Sequence, residues 1–213
     1  MSQSELYLRE IEDEDIPVIL AWFTGQVATL ANGTGSRIQA EDLRPDPANH
    51  RDVRVAVVPD EGVVGVFNWV ESPGTGSFFI GIVVPPDRVG TGYGAMVVEL
   101  GIGFLFDQRR AHRVELRAAT YNRHVVGMLR AGFMTLEAIL RENIFVDGRY
   151  ESTVVASMLE PEYRELIRTQ RMFPGPQNFS EEDQRRTQRS LRQALSSERV
   201  SKSWDELLVP DVA

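Results

Sequence analysis

Apolar and polar positions change rhythm along the first 160 residues in a way that separates strands from helices. A short apolar stretch at 6–8 predicts a first strand. Ile16, Ile19, Leu20 and Phe23 recur at helical spacing, with Asp15 placed to cap and Pro17 in the first turn, which predicts a helix over 15–23. Residues 24–50 are rich in Gly, Asn and Pro and lose this periodicity, apart from a short helix expected around 38–43. Long irregular segments in compact domains are commonly functional, so part of a substrate site is expected there. Three β-rich runs follow at 53–58, 63–70 and 77–84. They are separated by Asp60-Glu61-Gly62 and by Ser72-Pro73-Gly74-Thr75-Gly76, turn chemistry that predicts an antiparallel meander.

The pattern then switches period. A helix is expected over 92–107, a strand over 114–119 and a short helix over 123–131. Two further strands, 134–145 and 150–158, are joined at Asp147-Gly148. A strand–helix–strand unit implies one parallel pairing inside a mixed sheet. Glu160-Pro161-Glu162 is read as closing the sheet, and 172–176 as a linker or wrapping turn. Ser180-Glu181-Glu182-Asp183 reads as a helix start. The charged helix beyond it, to about 197, carries few apolar residues, chiefly Leu191, Ala194 and Leu195. Trp204, Leu207, Leu208 and Val209 form a late apolar cluster. This extension either packs on its own domain or serves as a dimer contact or a lid over the substrate site. The expected organisation is one α/β domain over 1–160 and a C-terminal extension over 161–213.

Composition narrows the class. With 42% apolar and 25% charged residues, the 213-residue chain matches an ordinary globular protein able to bury a core. No apolar run reaches the roughly 20 residues that span a bilayer. The acidic start is not a signal peptide, and the absence of cysteine excludes disulfides, thiolate chemistry and Cys-based zinc sites. A cytoplasmic location is expected from these features. A net charge of −8 argues against a general nucleic-acid binder. The 23 basic residues include a single lysine, Lys202, and the arginines are spread along the chain, as codon bias would leave them. His50, His112 and His124 are scattered without metal-ligand spacing, so no metal site is expected.

The stretch 85–96, PPDRVGTGYGAM, carries the chemistry. Glycines between a strand and a helix expose several backbone N–H groups in one concave turn, and the helix N-terminus adds partial positive charge. Together these can bind a pyrophosphate without basic side chains. Pro85 and Pro86 cannot donate to a sheet ladder, so the preceding strand must end or splay there. A splayed strand leaves amides and carbonyls for an extended, amide-bearing ligand. The spacing is wrong for the dinucleotide fingerprint, and the Gly-Lys-Ser/Thr of a P-loop is absent.

This loop, with His112-Arg113-Val114-Glu115-Leu116, then Asn122 and Gly132-Phe133, resembles the GNAT superfamily of CoA-dependent N-acyltransferases. It is most similar to the Rim-type branch of ribosomal-protein N-terminal acetyltransferases, with its P-x-x-R-G-x-G-Y-A, H-R-V, Asn and G-F. Leu8-Arg9, Glu14-Asp15, Trp22 and Asp147-Gly148-Arg149-Tyr150 extend the resemblance over about residues 5–160. It implies a GNAT-like mixed, mostly antiparallel sheet flanked by helices, followed here by the C-terminal helical extension. By the resemblance, the amides of Val89, Gly90, Thr91, Gly92, Tyr93 and Gly94 bind the CoA pyrophosphate. Ile82, Val83 and Val84 pair with the pantetheine arm, and Asn122 contacts the pantetheine or acyl region. Asn122 also fits as a helix N-cap, and the two roles are compatible.

The chain departs from the pattern in ways that bear on chemistry. Val89 stands where the family has Gln or Arg, with Arg88 one residue earlier as an imperfect substitute. The segment from Asn122 to Gly132 is one residue short. Val125 and Leu129 occupy the places of the family's Ser or Tyr general acid, and the strand over 77–84 lacks its glutamate base. Replacement candidates are Glu71 as base, His124 as base or acid, and Tyr150 as a substrate contact. Each also fits a structural role: a solvated strand-end charge, a surface helix histidine and a packing aromatic. The expected activity is transfer of an acyl group, acetyl in the first instance, from acetyl-CoA or another acyl-CoA to a primary amine on a small molecule or peptide. Alternative readings are an acyl carrier protein as donor in secondary metabolism, an aminoacyl-tRNA donor, and a non-catalytic acyl-CoA-binding protein. A homodimer is among the expected assemblies.

Overall fold

The computed structural model describes residues 6–23, 38–146, 148–169 and 181–195. Seven strands form one sheet: β1 (Tyr7–Glu10), β2 (Arg51–Val58), β3 (Gly62–Ser72), β4 (Ser77–Val83), β5 (Arg113–Ala119), β6 (Thr135–Val146) and β7 (Arg149–Leu159). Their spatial order is β1-β2-β3-β4-β5-β7-β6. Every neighbouring pair is antiparallel except β4 and β5, which run parallel as the strand–helix–strand pattern implied. Five helices are described: α1 (Asp15–Trp22), α2 (Tyr93–Asp107), α3 (Arg123–Arg130), α4 (Glu160–Thr169) and α5 (Glu181–Leu195). None is long and apolar enough to cross a membrane.

Alternation along the strands divides the sheet into two faces. On one face Phe67, Trp69, Phe78, Ile80, Val114, Leu116, Val154 and Met158 meet the apolar sides of α2 and α3 in the main core. On the other, Val53, Val55, Val66 and Val83 meet Ile16, Ile19 and Trp22 of α1. Asp15 fixes the approach of α1: its carboxylate accepts the Glu12 N–H at 2.8 Å and both Arg9 guanidinium nitrogens at 2.6 and 2.8 Å. The 38–43 stretch is a 3-10 turn (Ala40–Leu43) that places Leu43 in the α1 cluster.

The sheet ends at Leu159, as the reading of Glu160-Pro161-Glu162 as a closing segment expected, and these same residues begin α4. Proline is tolerated in a first helical turn. The helix is held by tertiary contacts, because Tyr163 stacks on Phe106 with centroids 4.7 Å apart and its hydroxyl donates to Asp107 at 2.8 Å. Desolvation and this bond push the Tyr163 phenol up to about 12. The extension thus packs on the sheet domain, for Tyr163, Leu166 and Leu191 all enter the main core and α5 lies on α3. The segments 24–37 and 172–176, the link at Asp147, Ser180 and the cluster of Trp204, Leu207, Leu208 and Val209 lie outside the described residues.

Helix α2 sits very close to β3. A Cβ on Gly101 would fall 2.3 Å from the fully buried Phe67 ring, and one on Gly65 would fall 2.7 Å from Val97. Alanine is the better helix former by about 1 kcal/mol, but here its methyl would overlap a ring with nowhere to go. Gly101→Ala should therefore destabilise the fold by about 1–3 kcal/mol, read as a lower denaturation midpoint at unchanged m-value. A stabilised variant would show that α2 can lift from the sheet.

Candidate active site

The site begins with a break in the sheet. Strand β4 stays paired with β3 from Ser77 to Val83, but its parallel pairing with β5 covers only Ser77–Ile80 against Arg113–Leu116. Beyond that, β5 follows β7 as far as the Ala119–Thr153 pair. Gly81, Ile82 and Val83 are therefore separated from Arg117, Ala118 and Ala119 by a wedge, with one β4 edge left open. The separation starts four residues before Pro85, so the prolines extend a divergence that β5 has already made.

The glycine loop closes the mouth of this wedge. Pro86–Arg88 forms a 3-10 turn, and α2 starts at Tyr93. Gly90 and Gly92 hold φ of 102° and 100°, a region that side chains disfavour. The amides of Val89 and Thr91 are used within the loop, donating to the carbonyls of Pro86 at 3.4 Å and Arg88 at 3.2 Å. The first helical bond runs from Met96 N–H to Gly92 at 3.2 Å. The amides of Gly90, Gly92, Tyr93, Gly94 and Ala95 have no backbone partner among the described residues. These are the free donors of a helix N-terminus, gathered beside the open strand edge.

The loop's single cation is already engaged. Arg88 pairs with Glu61 at 2.5 Å and lies over the Tyr93 ring at 5.5 Å, while the Tyr93 hydroxyl donates to Glu61 at 2.7 Å. That bond raises the Tyr93 phenol above its ordinary value. Glu61 belongs to the β2–β3 turn, so the hairpin braces the loop from outside. Sequence reading treated Glu61 only as a turn residue, since nothing local in the chain indicates this contact across the fold.

Across the wedge, Asn122 caps α3, its side-chain oxygen accepting from His124 N–H at 3.1 Å and Val125 N–H at 3.3 Å. The capping role read from the sequence is present. Val125 and Leu129 are buried in the main core as packing residues. His124 stands two residues beyond Asn122, in the first turn of α3. Burial first, and the neighbouring Arg123 charge second, push its imidazole down to about 4. It is neutral through the physiological range and there holds no extra proton to give.

The other two candidates lie at opposite ends of the wedge. Glu71 pairs in register with Phe78 at the closed end and sits 3.6 Å from Arg109. Tyr150 is 65% exposed beyond the open end, edge-on to Phe145 at 5.1 Å. The structure does not bring Glu71, His124 and Tyr150 together as one group. Among the described residues no cluster of three or more His, Asp or Glu could hold a metal.

An open β4 edge leading to free amides at a helix N-terminus is the arrangement of a CoA-dependent acetyltransferase. The chain belongs to the GNAT acetyltransferase family, whose domain model matches residues 5–134. It is an N-acetyltransferase, and acetyl-CoA is its donor. Among solved structures it is similar to spermidine N-acetyltransferase from Vibrio cholerae in complex with CoA and spermine. That match has 19% identity and a TM-score of 0.67, over 76% of this chain and 99% of that one. It is likewise similar to a chimera of the Vibrio cholerae enzyme SpeG and hSSAT, at 19% identity and a TM-score of 0.66, over 76% and 99% of the two chains. At this identity the likeness establishes the fold. No curated protein sequence matches the chain significantly. Carrier-protein and aminoacyl-tRNA donors, and a non-catalytic role, gain no support from the family or from these neighbours.

The His124 environment sets an acid dependence. An unfolded imidazole titrates at about 6.5, the folded one at about 4. Between these values the unfolded chain binds the extra proton, so this group's contribution makes stability fall as pH drops from about 6.5 to about 4 and no further below. Replacing His124 with Gln should flatten that part of the melting-temperature curve relative to the parent. Parallel curves would mean that the imidazole titrates as if in water.

Proposed function

We propose that the chain transfers the acetyl group of acetyl-CoA to the primary amine of a small cationic acceptor, by direct attack within the wedge. The observation that carries this reading is the open β4 edge at Gly81, Ile82 and Val83 beside the five free amides of the loop. The pantetheine arm, with its two amides, continues the sheet along this edge from Gly81 towards Val84. The pyrophosphate takes the N–H groups of Gly90, Gly92, Tyr93, Gly94 and Ala95, with Val89 and Thr91 shaping the turn around it. Arg88 reaches the phosphates only by loosening its hold on Glu61. Asn122 keeps α3 against the acyl end of the arm.

The amine nitrogen attacks the thioester carbon, the C–N bond forms, the C–S bond breaks and CoA leaves as thiolate. The proton lost by the attacking nitrogen neutralises that thiolate or passes to solvent. A thiolate is a good leaving group, so a dedicated acid is dispensable, in keeping with apolar Val125 and Leu129. Holding the two reactants together supplies up to about 7–11 kcal/mol in well-oriented cases. A free backbone N–H on β4 is placed to polarise the thioester carbonyl. His124, its imidazole held down to about 4, is a weak base at physiological pH, and Glu71 and Tyr150 act on parts of the acceptor away from the reacting atoms.

Polyamines are the first acceptor class, supported by the structural neighbours' substrates and by the net charge of −8, which favours cationic ligands through long-range attraction. The Rim-type motif favours a protein N-terminus instead, so spermidine and an N-terminal peptide should be assayed side by side. A cytoplasmic location, where acetyl-CoA is made available to soluble enzymes, suits either acceptor.

Calorimetric titration with acetyl-CoA tests the placement of the donor. Binding should be lost in Gly92→Trp, which fills the space before the free amides and strains a left-handed position; intact binding would move the donor site elsewhere. Steady-state rates supply a second check. With the free amine as nucleophile, kcat/KM should fall about tenfold per pH unit below the acceptor's pKa, near 10.4 for a lysine-like amine. An inflection near pH 6.5 would instead require a histidine titrating at its ordinary value.

A further inference from the structure

We propose that Asn68 orients the acceptor amine, an inference that rests on the acetyl-transfer reading above. Residues 63–70 of β3 read Val-Val-Gly-Val-Phe-Asn-Trp-Val, in which Asn68 is the one polar side chain. Strand β3 lies inside the sheet, and Asn68 is half-buried between Val53 of β2 and Gly81 of β4. A carboxamide there needs a partner, because burying an unpaired polar group costs free energy. It makes no hydrogen bond to the described residues.

Gly81 explains where the group points. A Cβ on Gly81 would lie 2.7 Å from the Asn68 side-chain oxygen and 3.0 Å from its nitrogen. The carboxamide therefore occupies the space that a β4 side chain would fill. Gly81 is also the first β4 residue beyond the last parallel pair, Ile80 with Leu116. The only unpartnered polar side chain on the β3 run thus leans across the strand at the point where the sheet opens.

The face completes the case. Asn68 and Gly81 share their side of the sheet with Val66 and Val83, which pack towards α1. Helix α2 packs on the opposite side, against Phe67 and Trp69. A donor anchored at the N-terminus of α2 and an acceptor entering from the α1 side meet at the wedge, where the acceptor encounters the carboxamide. The carboxamide oxygen accepts an N–H of the neutral amine, turning the nitrogen lone pair towards the thioester. Being uncharged, it does not hold the amine as ammonium. Asn68 is a positioning residue that touches the acceptor and takes no proton.

Three variants test this with spermidine as the acceptor probe. Asn68→Ala should lower kcat/KM for spermidine at least tenfold while the acetyl-CoA dissociation constant stays within twofold. Asn68→Asp should split the constants: a lower KM for the cation, a lower kcat, and a rate profile shifted to higher pH because the carboxylate stabilises the ammonium. Gly81→Ala should reproduce the loss by displacing the carboxamide with Asn68 intact. Normal spermidine turnover in folded Asn68→Ala and Asn68→Asp would overturn the role of Asn68 alone. Failure of the parent protein to acetylate spermidine or the N-terminal peptide, despite binding acetyl-CoA, would overturn the acceptor reading and this inference with it.

Discussion

Everything at the site is referred to one close contact, the seating of α2 on β3 through Gly101 and Gly65. With Cβ atoms missing from both sides, the helix backbone settles onto the Phe67 ring at a distance no other residue pair would allow. This close seating sets the height at which the N-terminal amides of the helix stand above the sheet. They meet the edge of β4 where that strand loses its parallel neighbour. A small change in the height of α2 would separate the free loop amides from the strand edge, although every residue of the loop remained in place.

Electrostatics around the loop follow from this arrangement. Asp87 and Glu61 surround Arg88, and the guanidinium is shared between a carboxylate and an aromatic face. The attraction for an anion thus rests on main-chain dipoles more than on a side-chain charge. In the first turn of α3, neutral His124 adds no charge of its own.

The parts of this fold legible in the sequence were those governed by local rules. Alternation gave the meander, the glycine run gave the turn that precedes α2, and the β4–α2–β5 succession gave the parallel pair. Asn122 could be read as a cap because the capping residue and its helix are adjacent. What could not be read depends on register or distant packing. Helix α4 is polar at its start and carries an early proline, and it is held by the stack of Tyr163 on Phe106. The link between Glu61 and Arg88 joins two turns that are neighbours only in the folded chain. Nothing local singles out Asn68; pairing sets it opposite Gly81, and only the length of the β4–β5 ladder shows that Gly81 stands at the opening.

The same short ladder makes the sheet a composite. Two antiparallel blocks, β1-β2-β3-β4 and β5-β7-β6, are joined within the sheet by four residue pairs. A ligand arm laid along the open edge of β4 would lengthen that seam, acting as mortar between the blocks as well as a reactant. Because such a ligand favours the folded state by mass action, it would be felt across the whole sheet. Substrate occupancy and the cohesion of the fold are in this sense one quantity.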